Sequence, residues 1–196
     1  MPVQFEFDFE KSKAAFVYLA SKEVPGFDTY KVCKLLFLAD KYHLVKYGRP
    51  ITGDRYCALP YGPIPSTILD IIEKVIAGRI DDPHAASLSG ALELDRRYQN
   101  PRFKAKAAFD ARKLSQSDLM ALDHVVAQFG HMEFAELKAI THEMVAYKKA
   151  WHEKPEDRNA ADMNFEEFFE EDSDAVAGAK EEMLEDDLLR KTFSAR

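Results

Sequence analysis

The sequence predicts an α+β chain, mainly helical: a single compact domain of about six to eight helices with a small antiparallel sheet or hairpin. Three observations carry that expectation. Most apolar residues recur at three- and four-residue steps, the period of helices with one buried face. Capping residues and glycine or proline stops bracket those stretches. Alternation of period two is confined to short segments. The length of 196 residues suits one substantial core, and 46% hydrophobic with 31% charged residues is an ordinary soluble globular composition. The expected division is a body over 1–154 and an acidic helical C-terminal extension over 155–196.

Taken in order, Gln4 to Glu10 alternates Phe5, Phe7 and Phe9 with polar residues. That reads as a short edge strand, or as an extended lead-in laid on the body. Lys11 to Ser21 reads as a helix with Ala14, Phe16, Val17 and Ala20 inward. The next helix is the main one. Asp28 or Thr29 caps it, Val32, Leu35, Leu36, Ala39, Tyr42 and His43 line one face, and Gly48 with Pro50 stops it. Leu38 and Val45 widen the face, so the helix should pack on more than one side.

Thr52-Gly53-Asp54 reads as a turn and Arg55 to Leu59 as a strand. Pro60, Gly62, Pro63 and Pro65 then make a rigid connector. A helix follows with Ile64, Ile68, Ile71, Ile72, Val75 and Ile76 on one face, ended by Gly78. Arg79 to Gly90, punctuated by Asp-Asp-Pro and serines, reads as a loop. Ala91 to Tyr98 and Arg102 to Phe109 flank Asn100-Pro101 as a hairpin, with Phe103, Ala105, Ala107 and Phe109 facing one way.

Ser115 and Asp118 resemble a capping box before a helix lined by Leu119, Leu122, Val125, Val126 and Phe129 and closed by Gly130. Glu133 to about His142 is a shorter helix with Phe134, Leu137 and Ile140 inward. Ala146 to His152 adds one or two turns carrying Tyr147 and Trp151. Beyond Pro155 come a linker, an aromatic turn of Phe165, Phe168 and Phe169, and an amphipathic segment with Met183, Leu184, Leu188 and Phe193.

The net charge of −7 is unevenly placed. Glu153 to Arg196 carries 15 acidic and 6 basic residues, leaving 19 acidic and 21 basic in the remainder. The body is thus near +2 and the extension near −9. Net acidity argues against nucleic acid as the main partner, because that binding is dominated by phosphate neutralisation. No apolar run can span a bilayer and no signal-peptide pattern opens the chain, so a cytoplasmic location without membrane attachment is expected. Cys33 and Cys57 do not make a disulfide framework, and both read as buried free thiols.

Catalytic patterns are missing. There is no phosphate loop, dinucleotide fingerprint or Gly-x-Ser-x-Gly elbow. His142-Glu143 begins like a metalloprotease motif, but Ala146 stands where the second histidine is needed. The six histidines are dispersed, so neither a metal nor another cofactor is expected. A hydrolase or metal-dependent enzyme built on Asp40 and His43 is the rival reading, and it lacks a nucleophile and an oxyanion donor.

The stretch KLLFLADKYHLVKYGRPITGDRYCALPYGPIPS carries a specific resemblance. Lys34, Leu35, Leu36, Ala39, Asp40, His43, Tyr47, Gly48, Arg49, Pro50, Thr52, Gly53, Asp54, Tyr61, Gly62, Pro63, Pro65 and Ser66 match the signature of the Panacea-domain (SocA-like) antitoxin and phage-associated family. A second match runs from Leu114 to Glu143 and reaches Trp151. The resemblance implies an antitoxin, not an enzyme, that neutralises a co-encoded protein toxin by binding it directly. In some members it also implies a proteolytic adaptor that delivers the toxin to an ATP-dependent protease.

Rigid loops suit such an interface, since little entropy is lost on binding. The candidate partner-binding set is therefore Asp40, His43, Tyr47, Arg49, Thr52, Asp54, Tyr61, Pro63, Pro65 and Ser66. Several of these have plainer readings. His43 can be a satisfied core histidine, or can join Asp40, Arg49 and Asp54 in a polar cluster. Arg49 can tie its turn to Asp54, or anchor a partner. Tyr61 can pack on the prolines or face out. The basic stretch Arg96 to Lys113 can be a solvated hairpin face, a nucleic-acid stripe, or a dock for an acidic partner such as the chain's own tail. That tail either packs on the body or orders on binding.

Overall fold

In the computed structural model, residues 2–170 and 174–194 are described, with side chains through 170 and from 176 to 192. Among the described residues, eight α-helices and five short strands form a mainly helical α+β body. The centre is α2 (Thr29–Tyr47), capped by Asp28, whose carboxylate accepts from Lys31 N, and stopped by Gly48 in the left-handed conformation. Twelve of its residues are buried, from Lys31 to Leu44. A helix buried all round must be enclosed by the rest of the chain. It is: α1 (Phe9–Ser21), α3 (Ser66–Ile76), α5 (Gln116–Phe129), α6 (Phe134–Glu143) and α8 (Asp174–Ser194) all pack on it.

The N-terminal alternation does not form a strand. Asp8 caps α1 by accepting from Lys11 N, and Phe9 already belongs to that helix. Residues before it lie extended on the body: Phe5 meets Phe165 edge-on at 4.9 Å, and Asp8 N donates to Thr52 O at 2.9 Å. The period of two records rings turned inward without a neighbouring strand to pair with.

The connector of prolines is itself a strand. β1 (Tyr56–Leu59) pairs antiparallel with β2 (Gly62–Pro65), in the register Tyr56 with Pro65 and Leu59 with Gly62. Proline is tolerated there because β2 is an edge. Across β1, β5 (Ala161–Asp162) completes a three-stranded sheet in the order β2-β1-β5. The second sheet is the expected hairpin, β3 (Leu92–Asp95) with β4 (Arg102–Ala105), and Phe103 points into the core while Ala107 stays exposed.

The stretch 79–90, expected as loop, contains α4 (Pro83–Ala91). Asp82 accepts from His84 N and Ala85 N, and Pro83 occupies the first helical turn. Asp-Asp-Pro is thus a helix start. The pattern hid it because only Ala85 and Leu88 are buried.

On α5 the Ser115–Asp118 capping box forms in both directions. Its buried face is Asp118, Ala121, Leu122 and Val125, while Leu119, Val126 and Phe129 lie at the margin. Phe134 opens α6 and is 46% exposed, so it does not point inward. α7 (Val145–Glu153) buries Ala146 and Tyr147.

The acidic C-terminal segment packs on the body. Met163, Phe165 and Phe168 are buried, Met163 N donates to Tyr56 O, and Met183 of α8 is fully enclosed. Its carboxylates reach Lys41 (Glu170, 2.7 Å), Lys149 (Glu167, 2.5 Å) and Arg55 (Asp162, 3.7 Å), not the basic hairpin. Leu184 and Leu188 point outward, against expectation, and Phe193 lies outside the residues whose side chains are described. Cys33 is buried and Cys57 half-buried, both as free thiols. No helix among the described residues is long and apolar enough to cross a membrane.

Candidate partner-binding surface

The ten candidate residues divide into an inner network and an outer tip. The inner network ties the end of α2 to the turn after it. Asp40 is 1% exposed and accepts from four donors: Ile51 N (2.9 Å), Thr52 N (3.0 Å), the Thr52 hydroxyl, and Tyr56 OH (2.8 Å). Burial pushes its carboxyl up to about 6, with those donors pulling the other way. Thr52 is equally enclosed, and its hydroxyl also accepts from Asp54 N.

Asp54, fully buried, faces away from Arg49 and caps α3. It accepts from Thr67 N at 2.9 Å and Ile68 N at 2.8 Å. Pro65, at the N-cap position, has no side chain able to do so, which explains a carboxylate recruited from eleven residues upstream. Gly53 (φ +67) is required by the same architecture. A Cβ there would stand 2.1 Å from Glu6 O of the overlying N-terminal segment.

His43 is a satisfied core histidine. Its Nδ1 lies 2.7 Å from Arg49 O, which can only accept, so Nδ1–H donates and Nε2 carries the lone pair. Ser117 Oγ donates to Nε2 at 3.0 Å, and Asp118 Oδ1, itself paired with Arg49, lies 3.2 Å from the same nitrogen and favours the charged ring. Burial outweighs the Arg49 carbonyl and Asp118 and lowers the pKa of the ring, which favours this neutral form. Arg49 pairs not with Asp54 but with Asp118 Oδ1 (3.3 Å) and Ser115 Oγ (3.4 Å) on α5. Lys11 also reaches Asp118, at 3.1 Å. Tyr47 is half-buried with its ring 4.7 Å from that of His43. Of this group only Arg49, with a side chain 41% exposed, offers much surface. Asp40 and His43 share no hydrogen bond, and neither has a face open to a substrate.

The outer tip is the turn between β1 and β2. Tyr61 is 60% exposed there. Gly62 beneath it (φ +98) has no room for a side chain: a Cβ would meet Lys34 Nζ at 2.7 Å and Thr141 Oγ1 at 2.9 Å. Lys34 is the unexpected element. It is fully buried in α2, donates to Pro63 O at 2.6 Å and lies 5.0 Å from the Tyr30 ring centre. Burial brings its ammonium pKa down to about 7. From the other side Tyr147 OH donates to Leu59 O at 2.9 Å. Pro63 and Pro65 are buried, and half-buried Ser66 donates to Arg55 O at 2.9 Å. The tip is thus held by two helices.

Around Tyr61 the fold gathers two more rings. Tyr30 OH donates to Tyr61 O at 3.3 Å. Phe134 lies 4.3 Å from the Tyr30 ring and 5.9 Å from the Tyr61 ring, with Lys138 Nζ 5.3 Å above Tyr61. Tyr30, Lys34 and Phe134 were absent from the candidate set. Lys34 had a signal, a charge inside the apolar run Val32 to Leu36; Phe134 had none, because it joins Tyr61 only through the tertiary fold.

Most of this architecture lies in one matched region. The family model for the antitoxin SocA-like, Panacea domain matches residues 32–152, more than half of the chain. The chain belongs to this family. No curated protein and no solved structure matches it. Family membership carries an antitoxin role at the level of the family, and with it a toxin as the general kind of partner. The match takes in the sealed network and the Tyr61 hairpin, while β5 and α8 fall outside it.

Proposed function

We propose that this protein neutralises a co-encoded protein toxin by direct binding, as a non-enzymatic inhibitor. Its binding anchor is the aromatic tip formed by Tyr61, Phe134 and Tyr30. The observation that carries the reading is the exposure of Tyr61 on a hairpin clamped from both sides. An amphipathic ring held in place loses little entropy on association, and aromatic side chains dominate interface energetics. Family membership supports the class of partner. Of the ten candidate residues, Tyr61 and Arg49 have substantial surface to offer, while Tyr47 and Ser66 are half-buried. Asp40, His43, Thr52, Asp54, Pro63 and Pro65 are buried and act by holding the frame.

The test is co-expression with the adjacent toxin gene, paired with an affinity measurement. Tyr61→Ala with Phe134→Ala should weaken toxin binding by about thirtyfold or more, the effect of losing at least one interface hot spot, and growth protection should fail. Thermal unfolding should stay within a few degrees of the parent. Undiminished affinity in the folded double variant overturns the reading.

A further inference from the structure

The antitoxin reading leaves the basic stretch Arg96 to Lys113 without a role, and the fold gives part of it a definite shape. Where the loop 21–27 passes the β3–β4 hairpin there is a groove of about 590 Å³. Its floor is apolar and buried: Val24, Phe27 and Phe103 are at most 7% exposed. Its rim carries Tyr98, Arg102 and Lys104. The groove continues into a hollow of about 220 Å³ that shares Gly26, Tyr98 and Arg102 with it, so the whole is elongated.

The rim charges differ from their neighbours in one respect. Arg97 is locked to Asp95 through two guanidinium nitrogens (2.9 and 2.6 Å), and Arg112 to Asp110 in the same manner. Arg102 instead stacks on the Tyr98 ring at 3.6 Å, and neither it nor Lys104 has a carboxylate at ion-pairing distance among the described residues. A guanidinium stacked by its face keeps its planar edge of N–H donors free, the geometry that grips a carboxylate with two parallel hydrogen bonds. One wall residue, Glu23, holds a left-handed backbone (φ 53), an unusual conformation for a side chain of that size.

We infer that this groove is a docking site for an extended, acidic peptide segment of a protein partner. Carboxylates of the segment meet Arg102 and Lys104, and an apolar side chain between them fills the floor. A nucleic-acid strand fits less well. Its phosphates recur at every nucleotide and would face Glu23 and Asp95 in the groove and Asp28 and Glu133 in the hollow, whereas a peptide can place its carboxylates at Arg102 and Lys104 and uncharged residues opposite those four acids. The chain's own acidic segment is held elsewhere, with Glu167 and Glu170 paired to Lys149 and Lys41 and α8 packed on α2 through Met183, so the occupant comes from another molecule. The inference does not rest on the antitoxin reading; the two surfaces touch only at the far wall of the hollow, where Tyr30 and Phe134 stand.

The test is selection of a random-peptide display library on the full-length protein, followed by fluorescence-polarisation titration of the enriched peptides. Enrichment of Asp and Glu around an apolar position is expected. Affinity should fall about tenfold or more for Arg102→Ala with Lys104→Ala, and stay unchanged for Arg112→Ala, whose guanidinium is already paired. Circular dichroism checks that the variant is folded; if the double variant is not, Lys104→Glu, on an exposed position, must show the loss by itself. Failure to enrich any peptide, enrichment without acidic residues, equal affinity for parent and variant, or displacement of the peptide by a single-stranded oligonucleotide each overturns the proposal.

Discussion

The turn Gly48–Asp54 and the hairpin tip Pro60–Gly62 look alike in sequence: both are short, rich in glycine and proline, and flanked by polar or aromatic side chains. The fold treats them oppositely. Around the turn, backbone N–H groups and hydroxyls converge on Asp40, α8 lies against Gly48 and the N-terminal segment lies across Gly53, so nearly everything but the Arg49 side chain is enclosed. At the tip, polar anchors hold the backbone from below and leave the Tyr61 ring in solvent. Rigidity alone therefore does not mark a binding surface. What matters is whether the side chains bracing a loop take up its outward face or its inward one.

The comparison can be broken first at Asp40. Asp40→Ala leaves two buried N–H groups and two hydroxyls without their acceptor, and a loss of about 3–5 kcal/mol is expected by urea denaturation. Asp40→Asn, which retains one carbonyl acceptor, should cost clearly less. Equal stability of Asp40→Ala and the parent would show that the turn is not held by this network.

Lys34 gives the next effect, through pH. The unfolded chain keeps its proton up to the usual 10.5, whereas the folded protein releases it near 7. Between those values the unfolded state binds more protons, so stability rises with pH, and the cost of the buried ammonium is complete below pH 7 and gone above the unfolded value. The parent should therefore gain stability relative to Lys34→Met as pH is raised from 7 to 10. Parallel profiles of the two proteins would contradict a buried, charge-averse lysine under the hairpin.

Gly62→Ala should cost about 1–3 kcal/mol, because φ +98 is disfavoured for alanine and the new methyl would press on Lys34 Nζ. Melting curves read this directly, and an unchanged curve would mean that the tip yields easily. The smallest effect belongs to Arg49→Ala. Its bonds to Asp118 and Ser115 are long and its side chain is partly in water, so at most about 1 kcal/mol of stability is expected in urea. A larger loss would place Arg49 with the buried frame.

Much of the fold was legible from local signals. The caps at Asp28 and Ser115, the stop at Gly48 and the hairpin around Asn100 all act within a few residues, and all appear as read. Signals with two meanings misled. Asp-Asp-Pro starts a helix as well as it punctuates a loop, and Pro63 and Pro65 fit an edge strand as well as a connector. The candidate site was less legible because its geometry is set by distant partners. Arg49 finds Asp118 69 residues away, and Phe134 reaches Tyr61 from a different helix. For the acidic extension the sequence left two readings open, packing on the body or ordering on binding, and the first is the one seen: Phe165 and Phe168 sit in the core and Ala161–Asp162 completes a sheet, so cutting the chain after Pro155 would open the body itself.

The difference between turn and tip can be read most directly by oxidative side-chain footprinting of the protein alone and in complex with the toxin partner proposed above. The account predicts strong protection of Tyr61 and Phe134 in the complex, with Tyr47 beside the sealed turn unchanged. Protection of Tyr47 with Tyr61 and Phe134 left as reactive as in the free protein would contradict it.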